Sequence, residues 1–193
     1  MLSYLKGFIE KYPHIKITIE NQSTTHTLSM LEQQRIDVGL VAEPKFQKNI
    51  QFLPVLEIED IFVAAPKYME NLKLREGTEA DIFHVGNIML LNKENITRSH
   101  IDEYMSINGI TANNLLEVST MDLLIEFARI GLGIGCVIKE FVKDDLDSGR
   151  LAEIKLNQPV RKRTVGFAYH ANRTSRALET FIQFCKEQKG PSA

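Results

Sequence analysis

Hydroxyl and amide side chains gather at three places where the chain enters a helical pattern. "NQSTTHTL" brings Ser23, Thr24 and Thr25, "NKENITRS" brings Asn95, Thr97 and Arg98, and "EVSTMDLL" brings Ser119 and Thr120. The chemistry such groups offer is capture. In open α/β sheets the ligand crevice lies beyond the carboxyl ends of the strands, where free helix amides and the helix dipole favour anions. Three polar entrances facing one interlobe crevice would suit a small ligand. Each residue also has a plainer role as an N-cap, contributing about 0.5–2 kcal/mol to its helix. Both readings stand at the level of sequence.

Arg98 is the sharpest of these residues, because a cation near a helix start opposes the dipole unless something negative lies close by. Simple solvation is one explanation, and a carboxylate or other anionic effector is the other. His14, His26, His84, His100 and His170 show no metal-ligand spacing, and no metal or cofactor is expected. His26 lies beside Thr24, which leaves room for an effector contact or a pH response. No nucleophile elbow and no pairing of Cys with His suggests covalent catalysis, so no catalytic residue is named. "RKR" at 161–163 reads as a solvated turn before a strand.

The elements that would position these groups follow from hydrophobic period. Leu2, Leu5, Phe8, Ile9 and Tyr12 recur at helical spacing until Pro13. "HIKITIE" alternates Ile15, Ile17 and Ile19 with polar residues, as a strand with one buried face would. A helix over 25–35 precedes "IDVGLVA", which reads as a parallel strand buried on both sides. "FLPVL" and "DIFVAA" are further strands, and the polar stretch 67–81 reads as a crossing between domains. The pattern then repeats: strand "NIMLL", a helix over about 98–107, strand "LLEVS", a helix over 120–130, strand "GIGCVI". "KEFVKDDL" reads as a short helix, "RLAEIKL" and "RTVGFAYH" as strands, and Thr174 as the cap of a last amphipathic helix.

The glycines of "EVSTMDLLIEFARIGLGIGCVI" complete this unit. Gly131 stands where a helix ends in a left-handed residue, and Gly133 and Gly135 share one face of the next strand, letting the helix approach. Ser119 with Asp122 has the spacing of a capping box, with Asp in place of the preferred Glu or Gln. A dinucleotide fingerprint needs its glycines between a strand and a following helix, whereas these follow a helix. No phosphate-binding Walker sequence is present.

Composition sets the outer bounds. The 193 residues are 44% hydrophobic and 25% charged, with a net charge of −2, so no basic surplus draws nucleic acid to this chain. Cys136 and Cys185 are expected to be buried thiols of a reducing compartment. No run is apolar enough to span a membrane, and the start does not resemble a signal peptide. The expected location is cytoplasmic. Strands alternating with helices imply two α/β lobes with mostly parallel sheets.

With these elements in order, the chain resembles the effector-binding domain of LysR-type transcriptional regulators. "FIEKYPHIKITIE", "LEQQRIDVGLVAEP" and "EVSTMDLLIEFARIGLGIGCVI" are similar to that family's characteristic segments, and "DIFVAAPKYM" and "RTVGFAYHAN" to its hinge strands. The resemblance implies two Rossmann-like lobes with an interlobe cleft, like type 2 periplasmic binding proteins. Lobe I would be 1–66 plus 165–193, and lobe II 67–164. By position, the effector contacts it implies are Ser23 and Thr24, Ala42 and Glu43, Asn95 and Thr97, and Ser119 and Thr120. It further implies a first lobe I strand, a linker helix and a winged helix-turn-helix outside this chain, so DNA would be bound only through the absent part. Homodimer pairing through the strand 15–19 and the adjacent helix, with higher oligomers in the full-length protein, completes the expectation.

The expected function is therefore ligand sensing, in which a small effector held between lobes modulates DNA binding elsewhere in the protein. A solute-binding protein of a transport system would share the fold. An enzyme on this scaffold would need an acid and base pair that the sequence does not supply.

Overall fold

The computed structural model describes residues 2–44, 48–172 and 175–188. Its contacts divide into two compact units, 1–57 with 164–193, and 58–163. The chain thus passes between them after Glu57 and after Arg163.

The first unit opens with α1 (Leu2–Lys11), whose Phe8 is buried among Phe167, Phe184 and Cys185. Edge-to-face contacts from Phe8 to Phe181 and Phe184, with ring centroids 5.0 and 5.5 Å apart, bind α1 to the last helix, α8 (Arg176–Gln188). Between them come α2 (Thr24–Glu32), β1 (Gly39–Ala42), β2 (Ile50–Ile58) and β8 (Arg163–His170). The strands lie in the order β1-β8-β2. Leu28 and Leu31 of α2 pack on Val41 and Ala168 as a separate small core.

Two sequence expectations fail in this unit. Residues 15–19 form no strand, although their alternation is right for one. A strand is held by a neighbour's hydrogen bonds, and no described strand pairs with this segment. Ile17 and Ile19 are consequently exposed. Nor is β1 a parallel strand buried on both sides: it runs antiparallel to β8 at the sheet edge, with Val41 buried and Leu40 exposed. The expected cap Thr174 lies outside the described residues; Ser175 Oγ accepts from the Leu178 amide at 3.1 Å.

The second unit holds a five-stranded sheet in the order β5-β4-β6-β3-β7. Its strands are β3 (Asp60–Ala64), β4 (Asn87–Leu91), β5 (Asn114–Val118), β6 (Ile134–Ile138) and β7 (Ala152–Glu153). β4 is parallel to β5 and β6, while β3 is antiparallel to β6 and β7, so the sheet is mixed. The helices are α3 (Pro66–Glu76), α4 (Ile82–Val85), α5 (Ile96–Ile107), α6 (Met121–Arg129) and α7 (Lys143–Asp147), with a tight 3-10 turn at Lys139–Phe141. Val63, Met89, Leu124, Ala128 and Val137 fill one face of the sheet; Phe62, Ile88, Leu90, Ile101 and Cys136 fill the other.

The polar stretch 67–81 is not the crossing. Its first part is α3, a solvated helix that buries Leu72 and packs Tyr68 and Met69 against the second unit's core. β3 likewise belongs to the second unit, because its whole length is buried between β6 and β7. The division therefore falls earlier in the chain than the expected boundary at 66, and at 163 rather than 164 on the return.

Candidate functional site

Each polar helix entrance is built as a cap. Ser23 caps α2, its Oγ accepting from the His26 amide at 3.3 Å. Asn95 caps α5, its Oδ1 accepting from the Thr97 amide at 2.9 Å. Thr120, not Ser119, caps α6: its Oγ1 accepts from the Leu123 amide at 3.4 Å, so the capping box drawn on Ser119 and Asp122 is not formed. An N-cap residue must be extended while the next is helical, and Thr120 has that backbone, with φ −134° and ψ 151°.

In the second unit the topology brings two entrances together. β4 and β5 are parallel with Leu91 opposite Val118, and the Asn92 amide donates to the Val118 carbonyl at 3.1 Å. Asn95 and Thr97 follow β4, and Ser119 and Thr120 follow β5, so all four residues occupy one end of the sheet. That end is the carboxyl end of parallel strands. Asn95 and Thr97 are half-buried, and Ser119 and Thr120 are exposed.

In the first unit Ser23 is exposed and Thr24 half-buried at the head of α2. Ala42 ends β1, the Glu43 amide donates to the Thr164 carbonyl at 2.8 Å, and Glu43 is exposed.

Behind these residues, α6 is seated by its glycines. Gly131 has φ +78°, which ends the helix without a Cβ clash. A Cβ on Gly135 would stand 2.6 Å from Leu124 Cδ2, so the helix lies as close as expected. Gly133 serves a different neighbour: its Cβ would meet the Asn87 carbonyl oxygen at 2.4 Å, so it admits the backbone of β4.

Arg98 is not free for an anion. It is 4% exposed, and its Nη1 donates to the Leu91 carbonyl at 2.8 Å and to Glu117 at 2.9 Å, while Nε donates to Asp102 at 2.7 Å. Burial opposes its charge most strongly, but the hydrogen bonds to Asp102 and Glu117 and the charges of those carboxylates outweigh it between them and hold its pKa above the ordinary arginine value. The negative charge that the helix start requires is supplied by the protein. Likewise, His84 bonds Asn113, His100 bonds the Arg161 carbonyl and His170 is buried, while no cluster of metal-ligating side chains occurs among the described residues.

Two surface concavities, of about 460 and 220 Å³, lie elsewhere. The first is lined by Asp122, Ile125, Glu126 and Arg129 of α6 with Phe141 of the 3-10 turn, the second by Tyr169, Leu178, Ile182 and Lys186 among others. None of the expected contact residues lines either. In the larger one Arg129 is already committed to Glu126 and to the buried Asp145, so its charge is spent within the protein.

Sequence reasoning passed over one element of this region. Arg163 does not belong to a solvated basic turn: it opens β8 and forms an ion pair with Asp60, at 2.6 Å, whose side chain is fully buried. A charged residue heading an otherwise apolar strand, as in "DIFVAA" and "RTVGFAYH", was the available signal. Lone charges of opposite sign at such positions are buried only when paired.

Comparison with known proteins agrees with this architecture. The chain is 24% identical over 182 residues to the HTH-type transcriptional regulator YeiE of Escherichia coli (strain K12), covering 93% of this chain and 61% of that protein. It is 26% identical over 179 residues to the HTH-type regulator YybE of Bacillus subtilis (strain 168), covering 92% and 60%. The chain thus spans about three fifths of these relatives' length. Among solved structures, the regulatory domain of CcmR from Synechocystis PCC6803 in complex with 2-PG superposes with a TM-score of 0.80 at 16% identity, over 98% of this chain and 90% of that one. The effector-binding domain of QuiR in complex with shikimate gives 0.75 at 16% identity, over 97% and 89%. These likenesses establish the fold. The family model of the LysR substrate binding domain matches residues 1–190, and the chain belongs to that family.

Proposed function

We propose that this chain is the sensing part of a longer LysR-type transcriptional regulator and that Ser23, Thr24, Ala42, Glu43, Asn95, Thr97, Ser119 and Thr120 contact one small effector. The observation that carries the reading is the pair of capped entrances, Asn95 with Thr97 and Ser119 with Thr120, side by side at the carboxyl ends of β4 and β5. Hydroxyls and helix amides at that place suit oxygen-bearing metabolites. An effector that binds one arrangement of the units better than another biases their equilibrium, and coupling of about 1–3 kcal/mol would change operator affinity by about 5–150-fold.

DNA binding, a cytoplasmic location and self-association belong to the full-length protein in this reading. The regulator names of the relatives favour it over a transport protein of the same fold. Operator binding by the full-length protein, measured across a metabolite panel, tests it. The reading expects at least one metabolite to change operator affinity and Thr120→Val to weaken that response. No response to any metabolite, together with unaltered DNA binding, would refute it.

A further inference from the structure

The ion pair of Asp60 and Arg163 reaches into the proposed site. The guanidinium holds the carboxylate with two arms, Nε donating to Oδ2 at 2.6 Å and Nη2 to Oδ1 at 2.8 Å. Nη2 carries a second hydrogen, and it is donated to Thr97 Oγ1 at 3.2 Å. Asp60 is 1% exposed and cannot leave its partner without stranding a buried charge. The arm aimed at Thr97 is therefore fixed in direction.

A guanidinium has donors and no acceptor, so Thr97 must be the acceptor in this bond. One lone pair of the hydroxyl is thereby occupied, and its proton has to point elsewhere. Among the described residues no side chain or backbone acceptor pairs with that proton. Accepting from a charged donor also polarises the O–H and strengthens it as a donor. The Thr97 amide is already taken by Asn95 Oδ1, so what Thr97 offers a ligand is the strengthened hydroxyl proton and one remaining lone pair that lies beside the Arg163 cation.

We infer that Arg163 is a positioning residue: it occupies one lone pair of the Thr97 hydroxyl and turns the proton away from itself, so the effector presents an acceptor oxygen there, of a carboxylate, sulfate, phosphate or carbonyl, in preference to an ammonium. This rests on the proposed role of Thr97 as an effector contact. Sulfate serves as an acceptor-only probe and methylammonium as a donor-only probe, each titrated into the isotopically labelled chain at constant ionic strength and followed at the α5 amides.

In the wild-type chain sulfate shifts these amides and methylammonium does not. Thr97→Val weakens sulfate binding about tenfold, and Thr97→Ser keeps it. The double variant Asp60→Leu/Arg163→Met removes both charges, which spares the fold an unpaired ion. In that background Thr97→Val weakens sulfate by no more than about twofold. Arg163→Lys provides a second test: it keeps a charge against Asp60 but lacks the second arm, and it gives the same loss of coupling. An equal Thr97→Val penalty in all three backgrounds overturns the role of Arg163 and leaves the site reading intact. Methylammonium binding as well as sulfate overturns the acceptor preference. Sulfate binding that ignores Thr97→Val in the wild-type chain overturns the site reading at Thr97 and this inference together.

Discussion

The two units solve the same problem, an α/β layer with polar helix entrances, with unequal means. The second surrounds a five-stranded sheet with apolar cores on both faces and pins two buried carboxylates in ion pairs, Asp60 with Arg163 and Asp145 with the more exposed Arg129 and Arg150. The first has a three-stranded sheet, two small separate cores and a segment without regular structure at 16–23 with exposed isoleucines. Stability therefore follows neighbours more than local pattern: Ile17 alternates as correctly as Ile88, yet only Ile88 has strands on both sides. The first unit should be the more easily opened.

The largest effect expected from a single change lies at the buried pair. Asp60→Asn leaves the Arg163 cation without its counter-charge, and urea unfolding of the second unit should show a loss of about 3–5 kcal/mol. A loss below about 1 kcal/mol would mean that water already reaches the pair.

Equivalent truncations compare the cores directly. Leu124 and Leu31 are both fully buried. Leu124→Ala opens a cavity in the densely surrounded second-unit core and should cost about 3–5 kcal/mol. Leu31→Ala sits in the smaller cluster, which can collapse around the gap, and should cost nearer about 2 kcal/mol. Equal costs would erase the contrast between the units.

Asp145 provides a pH-dependent version of the same comparison. Hydrogen bonding from Arg129, against the opposing effect of burial and with the charges of Arg129 and Arg150 assisting, holds its pKa below the ordinary 3.8. A depressed folded pKa stabilises the protein above the ordinary value, and that contribution is lost as pH falls through the depressed one. Asp145→Asn should therefore cost about 1–3 kcal/mol at neutral pH, and the gap from wild type should close in strong acid. A gap that stays constant with pH would assign the effect to packing.

The smallest effect is expected in the exposed segment. Ile19 is 72% exposed, and Ile19→Thr should change stability by less than about 0.5 kcal/mol in a urea titration.

How much of this was legible in the sequence divides along the same line. β4, α6 and β6 follow from their periods because each is largely buried, and β5 follows from its short apolar run although only Val118 of it is buried. Gly131 ends α6 as read, and Asn95 caps α5. The strand expected at 15–19 failed because ladder partners lie outside any local window, and α3 was missed because its solvated face hides the stripe around Leu72. Thr120 replaced Ser119 as cap by one residue, a shift that composition cannot resolve. Arg163 was misjudged because its partner Asp60 is remote in sequence, and Arg98 because Glu117 is remote and the local Asp102 four residues on was not weighed.

The central proposal is that Thr24, Asn95, Thr97 and Thr120 contact one and the same effector. The direct measurement is an amide-shift titration of this chain with a metabolite that alters operator binding by the full-length regulator. The account predicts that Thr24 in the first unit and Asn95, Thr97 and Thr120 in the second shift along a single isotherm with one Kd. Shifts confined to one unit, or separate isotherms for the two, would contradict it.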